Sequence, residues 1–66
     1  MNGKTQHSDG DQLLTVAELA DWVQVPKATI YGWQHRGVGP KALRVGRYLR
    51  FRRSDIEVWL TGREVS

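Results

Sequence analysis

Apolar side chains recur with a helical period just after residue 12. Thr15 and Glu18 occupy the two positions of a capping box, in which each side chain bonds the backbone N–H of the other residue. Apolar residues then follow at three- and four-residue spacing, which is typical of a helix with one buried face. We expect that face to contain Val16, Leu19, Ala20 and Val23. The pattern predicts a first helix that begins at Thr15 and ends at about Val23.

A second helix is predicted from about Pro26 or Lys27 to Arg36. Proline is accepted in a first helical turn, and it pushes the residue before it out of the helical region, so the first helix ends before it. Gly37 supplies a left-handed stop, and the Gly39-Pro40 pair prevents the helix from continuing. Two short helices joined by a tight turn form a helix-turn-helix, whose second helix is the recognition helix.

Between residues 41 and 52 apolar and basic residues alternate on both sides of Gly46-Arg47. Alternation with period two predicts two strands, and a glycine followed by any residue suits a tight hairpin turn. We expect the core-facing side to carry Leu43, Val45, Leu49 and Phe51. We expect the other side, towards solvent or phosphate, to carry Arg44, Tyr48, Arg50 and Arg52. A hairpin packed beside a recognition helix is a wing, whose tip at Arg47 reaches the neighbouring DNA backbone or minor groove.

A third helix is predicted after the hairpin. Residues 54–57, with Ser54 and Glu57 at the ends, form a second capping box. Ile56, Trp59 and Leu60 then have the spacing of one buried stripe, and Gly62 ends the helix. We expect the three tryptophan side chains mainly to fill the hydrophobic core. They are Trp22, Trp33 and Trp59, and Trp22 lies either in the core or at its rim.

These elements predict a mostly α fold with a β-hairpin: a winged helix-turn-helix of three short helices and a two-stranded wing. A chain of 66 residues can build only one small core. We expect residues 1–12 to be a disordered arm, because they contain no apolar residue after Met1. Residues 13–62 would form the DNA-binding domain, with an extended start at Leu13-Leu14, and residues 63–66 a frayed tail.

The outward face of the second helix has an unusual composition. If Ile30 and Trp33 face inward, the residues turned outward are Ala28, Tyr31, Gly32, His35 and Arg36. Glycine inside a helix costs roughly 1 kcal/mol relative to alanine, a cost that is tolerated where the backbone must approach a partner such as a major groove. Alternatively, Gly32 marks a weak helix or its end. We expect sequence specificity from Thr29, Tyr31, His35 and Arg36, with Ala28 available to a thymine methyl group.

Charge is segregated along the chain, although the net charge is only +3. No aspartate or glutamate lies between Trp22 and Ser54. Eight cations fall there: Lys27, Arg36, Lys41, Arg44, Arg47, Arg50, Arg52 and Arg53. This is the electrostatic pattern of a surface that binds a polyanion. We expect phosphate contacts from Lys27, Arg36, Arg47 and Arg50, and place Arg44 and Tyr48 on the same DNA-binding surface.

Other functional classes find little support in the residues. The chain has no cysteine, so disulfides and thiolate metal sites are excluded and a reducing cytoplasm is expected. His7 and His35 are the only histidines, and no catalytic or metal-ligating set can be assembled around them, so we expect no enzyme activity, metal or cofactor. No apolar run approaches the roughly 20 residues of a membrane span. A protein-interaction module would need an exposed apolar groove, whereas the faces predicted to be exposed in this chain are basic.

Three segments resemble the small winged-helix excisionases, which are related to the DNA-binding headpieces of MerR-like regulators. They are Leu14-Thr-Val-Ala-Glu-Leu-Ala20, Val25-Pro-Lys-Ala-Thr-Ile-Tyr-Gly-Trp33 and the segment from Arg44 to Leu60. The resemblance implies a phage or mobile-element recombination directionality factor in a bacterial cytoplasm. Such a factor bends double-stranded attachment-site DNA and directs a partner integrase toward excision. Position 32, often basic in such domains, is glycine here.

The alternative is a small MerR-like transcriptional regulator, although regulators of that type carry a long dimerisation helix and an effector domain that are not found in this sequence. A single module of this size covers little DNA. We therefore expect monomers in solution that assemble cooperatively, head to tail, on direct repeats. Acids at the two ends, Asp9, Asp11, Glu57 and Glu64, either contact the wing of a neighbour or are simply solvated.

Overall fold

Six elements follow one another along residues 12–65, which the structure, a computed structural model, describes. They are β1 (Leu13–Leu14), α1 (Val16–Val23), α2 (Lys27–Arg36), β2 (Leu43–Val45), β3 (Tyr48–Arg52) and α3 (Arg53–Thr61). The order confirms the winged helix-turn-helix with its three helices and hairpin. Apart from Gln12, the expected N-terminal arm lies outside the described residues, as do His7, Asp9 and Asp11.

The first helix begins with the capping box that the sequence predicts. The Thr15 hydroxyl accepts a hydrogen bond from the Glu18 backbone N–H at 3.0 Å, and the Thr15 N–H donates to Glu18 Oε1 at 2.9 Å. Both bonds satisfy donors that a helix start otherwise leaves unpaired. α1 ends at Gln24, which adopts a left-handed backbone with φ of 60°. The chain can therefore reverse direction within a few residues.

Proline and glycine set the limits of the second helix. Pro26 has an extended backbone at the N-cap of α2, and Gly37 ends the helix with φ of 71°. Left-handed φ is accessible to glycine without the Cβ penalty of other residues, so the predicted stop at Gly37 is confirmed. α1 and α2 are thus joined by a short turn and form the helix-turn-helix.

The hairpin is part of a three-stranded antiparallel sheet in the order β1-β3-β2. β1, which the sequence predicts only as an extended segment, pairs with the end of β3 and places Leu14 opposite Phe51. The predicted turn at Gly46-Arg47 is present, with Gly46 at φ of 62°. β1 therefore extends the wing into a small sheet that closes against the helices.

The predicted faces of the hairpin are wrong for β2. Val45 pairs with Tyr48 and Arg44 with Leu49, and paired residues of antiparallel strands share a face. Leu49 packs on the core, whereas Val45 is 50% exposed and lies on the outer face. Across a two-residue turn, each residue of β2 pairs with a residue of β3 that lies an odd number of positions away. The apolar residues of the two strands, which lie an even number of positions apart in the sequence, therefore fall on opposite faces of the hairpin. The same register puts Leu43 beside Arg50 on the outer face, and it puts Arg44, predicted for the outer face, beside Leu49.

The hydrophobic core is formed by side chains from α1, α2, the sheet and α3. Its buried members are Val16, Leu19, Ala20, Ile30, Phe51 and Ile56. Leu14, Val23, Val25, Trp33, Ala42, Leu49 and Leu60 are partly buried against them. No tryptophan belongs to the buried set. Trp22 lies at the rim with 36% of its surface exposed, and Trp33 and Trp59 pack against each other with ring centroids 5.1 Å apart.

The third helix begins directly where β3 ends, so the predicted capping box at Ser54 is wrong. The N-cap is Arg52, without a side-chain cap bond, and Ser54 lies within the first turn. The Arg53 N–H donates to the Gln12 carbonyl at 2.8 Å, which satisfies the first N–H of the helix from outside it. α3 ends at Gly62, as predicted, with a right-handed φ of −70°.

Arg63, predicted to begin a frayed tail, is docked on the domain. Its guanidinium donates to the Val38 carbonyl at 2.7 Å and lies 5.1 Å from the centre of the Trp59 ring. The Trp59 indole N–H donates to the same carbonyl at 2.9 Å. These two bonds tie the loop that follows the recognition helix to α3.

Candidate nucleic-acid interface

A cleft of about 440 Å³ lies between the start of α1, the outer side of α2 and the wing. The first turn of α1 lines it with Thr15, Val16 and Ala17. Lys27 and Tyr31 line it from α2. The wing contributes Arg44, Arg47, Tyr48, Leu49 and Arg50. The fold therefore brings six of the predicted site residues together around one opening.

The lining of this cleft is strongly cationic. Lys27, Arg44, Arg47 and Arg50 carry positive charge, and no lining residue is acidic. Within residues 12–65, none of these four cations forms a salt bridge. By contrast, Arg52 pairs with Asp55 at 3.4 Å and Arg53 with Glu57 at 3.3 Å. The cleft is thus a surface with charge available for an anionic ligand, whereas the last two arginines of the basic stretch are partly compensated.

The first turn of α1 also lines the cleft, but it adds no net positive charge. The N-terminus of a helix carries partial positive charge, and its first backbone N–H groups have no partner within the helix. The Glu18 carboxylate lies in this first turn and accepts a hydrogen bond from the Thr15 N–H at 2.9 Å, so it compensates that charge. The positive charge of the cleft therefore comes from the side chains of α2 and the wing.

The second helix presents the face that the sequence predicts. Ile30 is fully buried, while Ala28, Tyr31, His35 and Arg36 are exposed. The helix continues through Gly32 to Arg36, which excludes the alternative that Gly32 marks its end. A Cβ at Gly32 would meet only Nη1 of Arg36, at an ordinary distance of 3.5 Å. Packing inside the fold therefore does not require glycine at this position.

Thr29 and Gln34 are less accessible than the rest of that helix. Thr29 is half-buried and stands in the first turn, where its N–H donates to the Pro26 carbonyl at 3.0 Å. Gln34, also half-buried, donates from Nε2 to the Pro40 carbonyl at 3.1 Å. Gln34 is thereby turned toward the loop that follows the helix.

The outer side of the wing presents an aromatic ring with a cation over it. Tyr48 is 58% exposed, and the guanidinium carbon of Arg50 lies 5.4 Å from the centre of its ring. Arg50 also donates to the Leu49 carbonyl at 2.8 Å. Arg47 is exposed at the tip, next to the turn glycine. Tyr48 and the two arginines therefore follow one another along the exposed end of the hairpin.

The sequence pattern of the helix-turn-helix domain family matches residues 13–64, which contain every described helix and strand. The chain belongs to the helix-turn-helix domain family. This is a DNA-binding family that includes excisionase-like proteins, and membership indicates that the chain binds DNA. A search of curated proteins found no match for the chain.

Two features of this helix-turn-helix domain, the first turn of α1 and Gly39, are not predicted from the sequence. The first turn of α1 lines the cleft, although its residues are apolar or small and gave no chemical signal. Gly39 was interpreted only as a helix breaker. A Cβ there would lie 2.7 Å from Nε2 of Gln34 and 3.0 Å from Cβ of Trp33, so a side chain at this position would displace both neighbours behind the recognition helix.

Two features are absent from the described part of this helix-turn-helix domain: a cluster of metal-ligating side chains and a membrane-spanning helix. Over residues 12–65, no three His, Cys, Asp or Glu side chains come together in a way that could hold a metal ion. None of the described helices is both long enough and apolar enough to cross a membrane. His35, the one histidine in this range, is an exposed residue on the recognition helix.

Proposed function

We propose that this helix-turn-helix domain is a sequence-specific architectural protein of the excisionase type. In the proposal α2 lies in the major groove of duplex DNA, and the wing tip contacts the adjacent backbone or minor groove. The protein bends attachment-site DNA and directs a partner integrase toward excision. The observation that carries the proposal is the cationic cleft between the recognition helix and the wing, which has no acid in its lining.

The arrangement of the cleft supports contact with the phosphate backbone beside the groove. Lys27 stands at the start of α2, whereas Arg44 and Arg47 lie on the wing. A helix that enters the major groove has phosphates on both of its sides, and contacts to them fix its position without carrying sequence information. The exposed face of α2, with Ala28, Gly32 and Arg36, is left to contact the base edges.

Cooperative assembly is the second part of the proposal. One recognition helix and one wing bury about 600–1,000 Å² of protein surface, which is small for high specificity in a genome. We propose that the protein is monomeric in solution and that copies line up head to tail on direct repeats. If each copy tilts the duplex toward its basic side, tilts in phase add up to a bend. Glu57 or Glu64 of one copy would then contact the wing of the next.

The test combines three measurements on DNA carrying one, two or three candidate sites. A titration by gel shift determines whether the second copy binds more tightly than the first. A circular-permutation assay measures the bend, and an excision assay with integrase measures function. We expect cooperative binding, a bend that increases with the number of sites, and stimulated excision.

The outcomes separate the competing functions. Independent binding to each site without a bend would exclude the architectural mechanism. A bend without stimulated excision would favour a small MerR-like transcriptional regulator. Absence of any duplex binding at low salt would contradict the assignment of the cleft itself.

A further inference from the structure

We propose that base recognition is confined to one narrow strip of α2, formed by Ala28, Gly32 and Arg36, and that it selects one thymine and one guanine. The thymine is recognised through its methyl group and the guanine through its O6 and N7 acceptors. The inference rests on the proposed duplex binding and adds the kind of sequence that is bound.

The three residues follow one another along one side of the helix. They are spaced four residues apart, so each lies nearly above the one before it. Ala28 and Arg36 are exposed, and the packing around Gly32 would accept a side chain. Ala28 and Gly32 carry almost no side chain, which leaves room along this side of the helix for a base edge and for the Arg36 side chain. In the proposal, this strip is the part of the helix that faces the base edges.

The Arg36 guanidinium lies back along this strip instead of extending past the end of the helix. Its Nη1 stands 3.5 Å from the position that a Gly32 Cβ would occupy. The guanidinium therefore lies beside Gly32, on the same side of α2 as the Ala28 methyl group.

The types of base follow from the groups that the strip offers. Arginine only donates hydrogen bonds, and its planar fork fits O6 and N7 of guanine. An alanine methyl offers only apolar contact, for which the thymine methyl is the partner in the major groove. His35 flanks the strip, and its ring can contact a base as well, so the experiment has to separate its contribution from that of Arg36.

Adenine recognition is absent from this strip for a structural reason. Adenine is usually recognised by Asn or Gln, whose amide bonds N6 and N7 together. Gln34, the one amide side chain on α2, is half-buried and donates to the Pro40 carbonyl. Thr29 is half-buried as well, and Tyr31 lines the phosphate cleft. Within α2 no side chain remains to distinguish adenine in the way an amide does.

The experiment begins by selecting a preferred duplex from a randomised library with the full chain. In that duplex each thymine is replaced in turn by deoxyuridine, which lacks only the methyl group, and each guanine by 7-deazaguanine, which lacks only the N7 acceptor. We expect one thymine replacement to weaken binding about fourfold, as for the loss of one buried methyl group. We expect one guanine replacement to weaken binding about fivefold or more.

Protein variants then assign each effect to a residue. Ala28→Gly should remove the discrimination between thymine and deoxyuridine and keep the 7-deazaguanine effect. Arg36→Ala should do the reverse, and His35→Ala should keep both effects. Because each result is a ratio of affinities for two duplexes, a variant that is less stable still gives a valid answer. Ala28→Ser replaces Ala28→Gly if the glycine variant does not fold.

Several results would overturn the inference while leaving duplex binding intact. One is the absence of any deoxyuridine effect, and another is an effect that persists in Ala28→Gly. A 7-deazaguanine effect lost in His35→Ala but kept in Arg36→Ala would assign the guanine to the histidine. An affinity that depends strongly on an adenine N7 in the wild-type protein, but not in Gln34→Ala, would show that the Gln34 amide contacts that base. If no duplex is bound at low salt, the proposed function fails together with this inference.

Discussion

The salt dependence of DNA binding follows from the number of cations that the interface leaves without an acidic partner. The cleft contains Lys27, Arg44, Arg47 and Arg50, and Arg36 and Lys41 bring the number of unpaired cations in the described basic stretch to six. If four to six of them neutralise phosphates, the slope of log affinity against log salt is about −0.9 per phosphate, or roughly −3.6 to −5.4. Raising salt from 50 to 200 mM should then weaken binding about 150-fold to 1,800-fold.

Two variants that each remove one positive charge make this prediction specific to the cleft. Arg47→Gln removes an exposed cation at the wing tip, and we expect the slope to become less negative by about 0.9. Arg53→Gln removes the same charge from a residue that pairs with Glu57 and lies 5.3 Å from the centre of the Trp22 ring, outside the cleft. This matched control should leave the slope unchanged. Fluorescence anisotropy of a labelled duplex at five or more salt concentrations measures both slopes.

The reasoning would be refuted by either of two results. An affinity that stays flat between low and moderate salt would mean that phosphates are not the main contact. Equal changes of slope in Arg47→Gln and Arg53→Gln would mean that net charge alone determines binding, in which case the cleft would have no special role.

Three further predictions concern single residues. Gly32→Glu should abolish duplex binding in a gel shift and leave the circular dichroism spectrum unchanged, because its Cβ has room in the fold but the added carboxylate would lie in the groove of a polyanion. Normal binding would mean that the recognition face is misassigned. Gly39→Ala should lower the free energy of unfolding in urea by about 1 kcal/mol, since its Cβ would lie 2.7 Å from Nε2 of Gln34 and 3.0 Å from Cβ of Trp33 and both would have to shift. Unchanged stability would mean that the two side chains move aside without cost. Thr15→Ala should lower the free energy of unfolding in urea by about 1 kcal/mol, because it removes the capping box of α1. Ser54→Ala should lower it by less than about 0.5 kcal/mol. The opposite order would indicate that Ser54 caps α3.

Local signals in the sequence were sufficient to predict the helices. A capping box depends on residues three positions apart, and a left-handed stop depends on one glycine, so both can be recognised without knowledge of the fold. The starts of α1 and α2 and the end at Gly37 were predicted for this reason. The failure at Ser54 shows the limit of such signals. The chain context, with β3 running straight into the helix and Gln12 bonding its first N–H, overrode a matching local pattern.

Features that depend on distant pairing were not available from the sequence. The register of the hairpin decides which side of β2 faces the core, and the alternation alone gave the wrong side for Leu43 and Val45. The contacts of Trp59 and Arg63 with the Val38 carbonyl join residues more than 20 positions apart, and no motif marks them. In the candidate site, residue types were predictable, but their convergence on one cleft required the packing of the wing beside α1 and α2.

The direct passage from β3 into α3 restricts how this wing can change in length during evolution. Any residue inserted between Arg52 and Arg53 would rotate the helix away from the core, so growth is possible only at the tip, between Val45 and Tyr48. Hydrogen-bonded and non-hydrogen-bonded residue pairs alternate along an antiparallel ladder. The pair next to the turn is again of the same kind only after two more pairs have been added to the hairpin. The wing can therefore lengthen in steps of four residues, each moving its tip about 7 Å farther out.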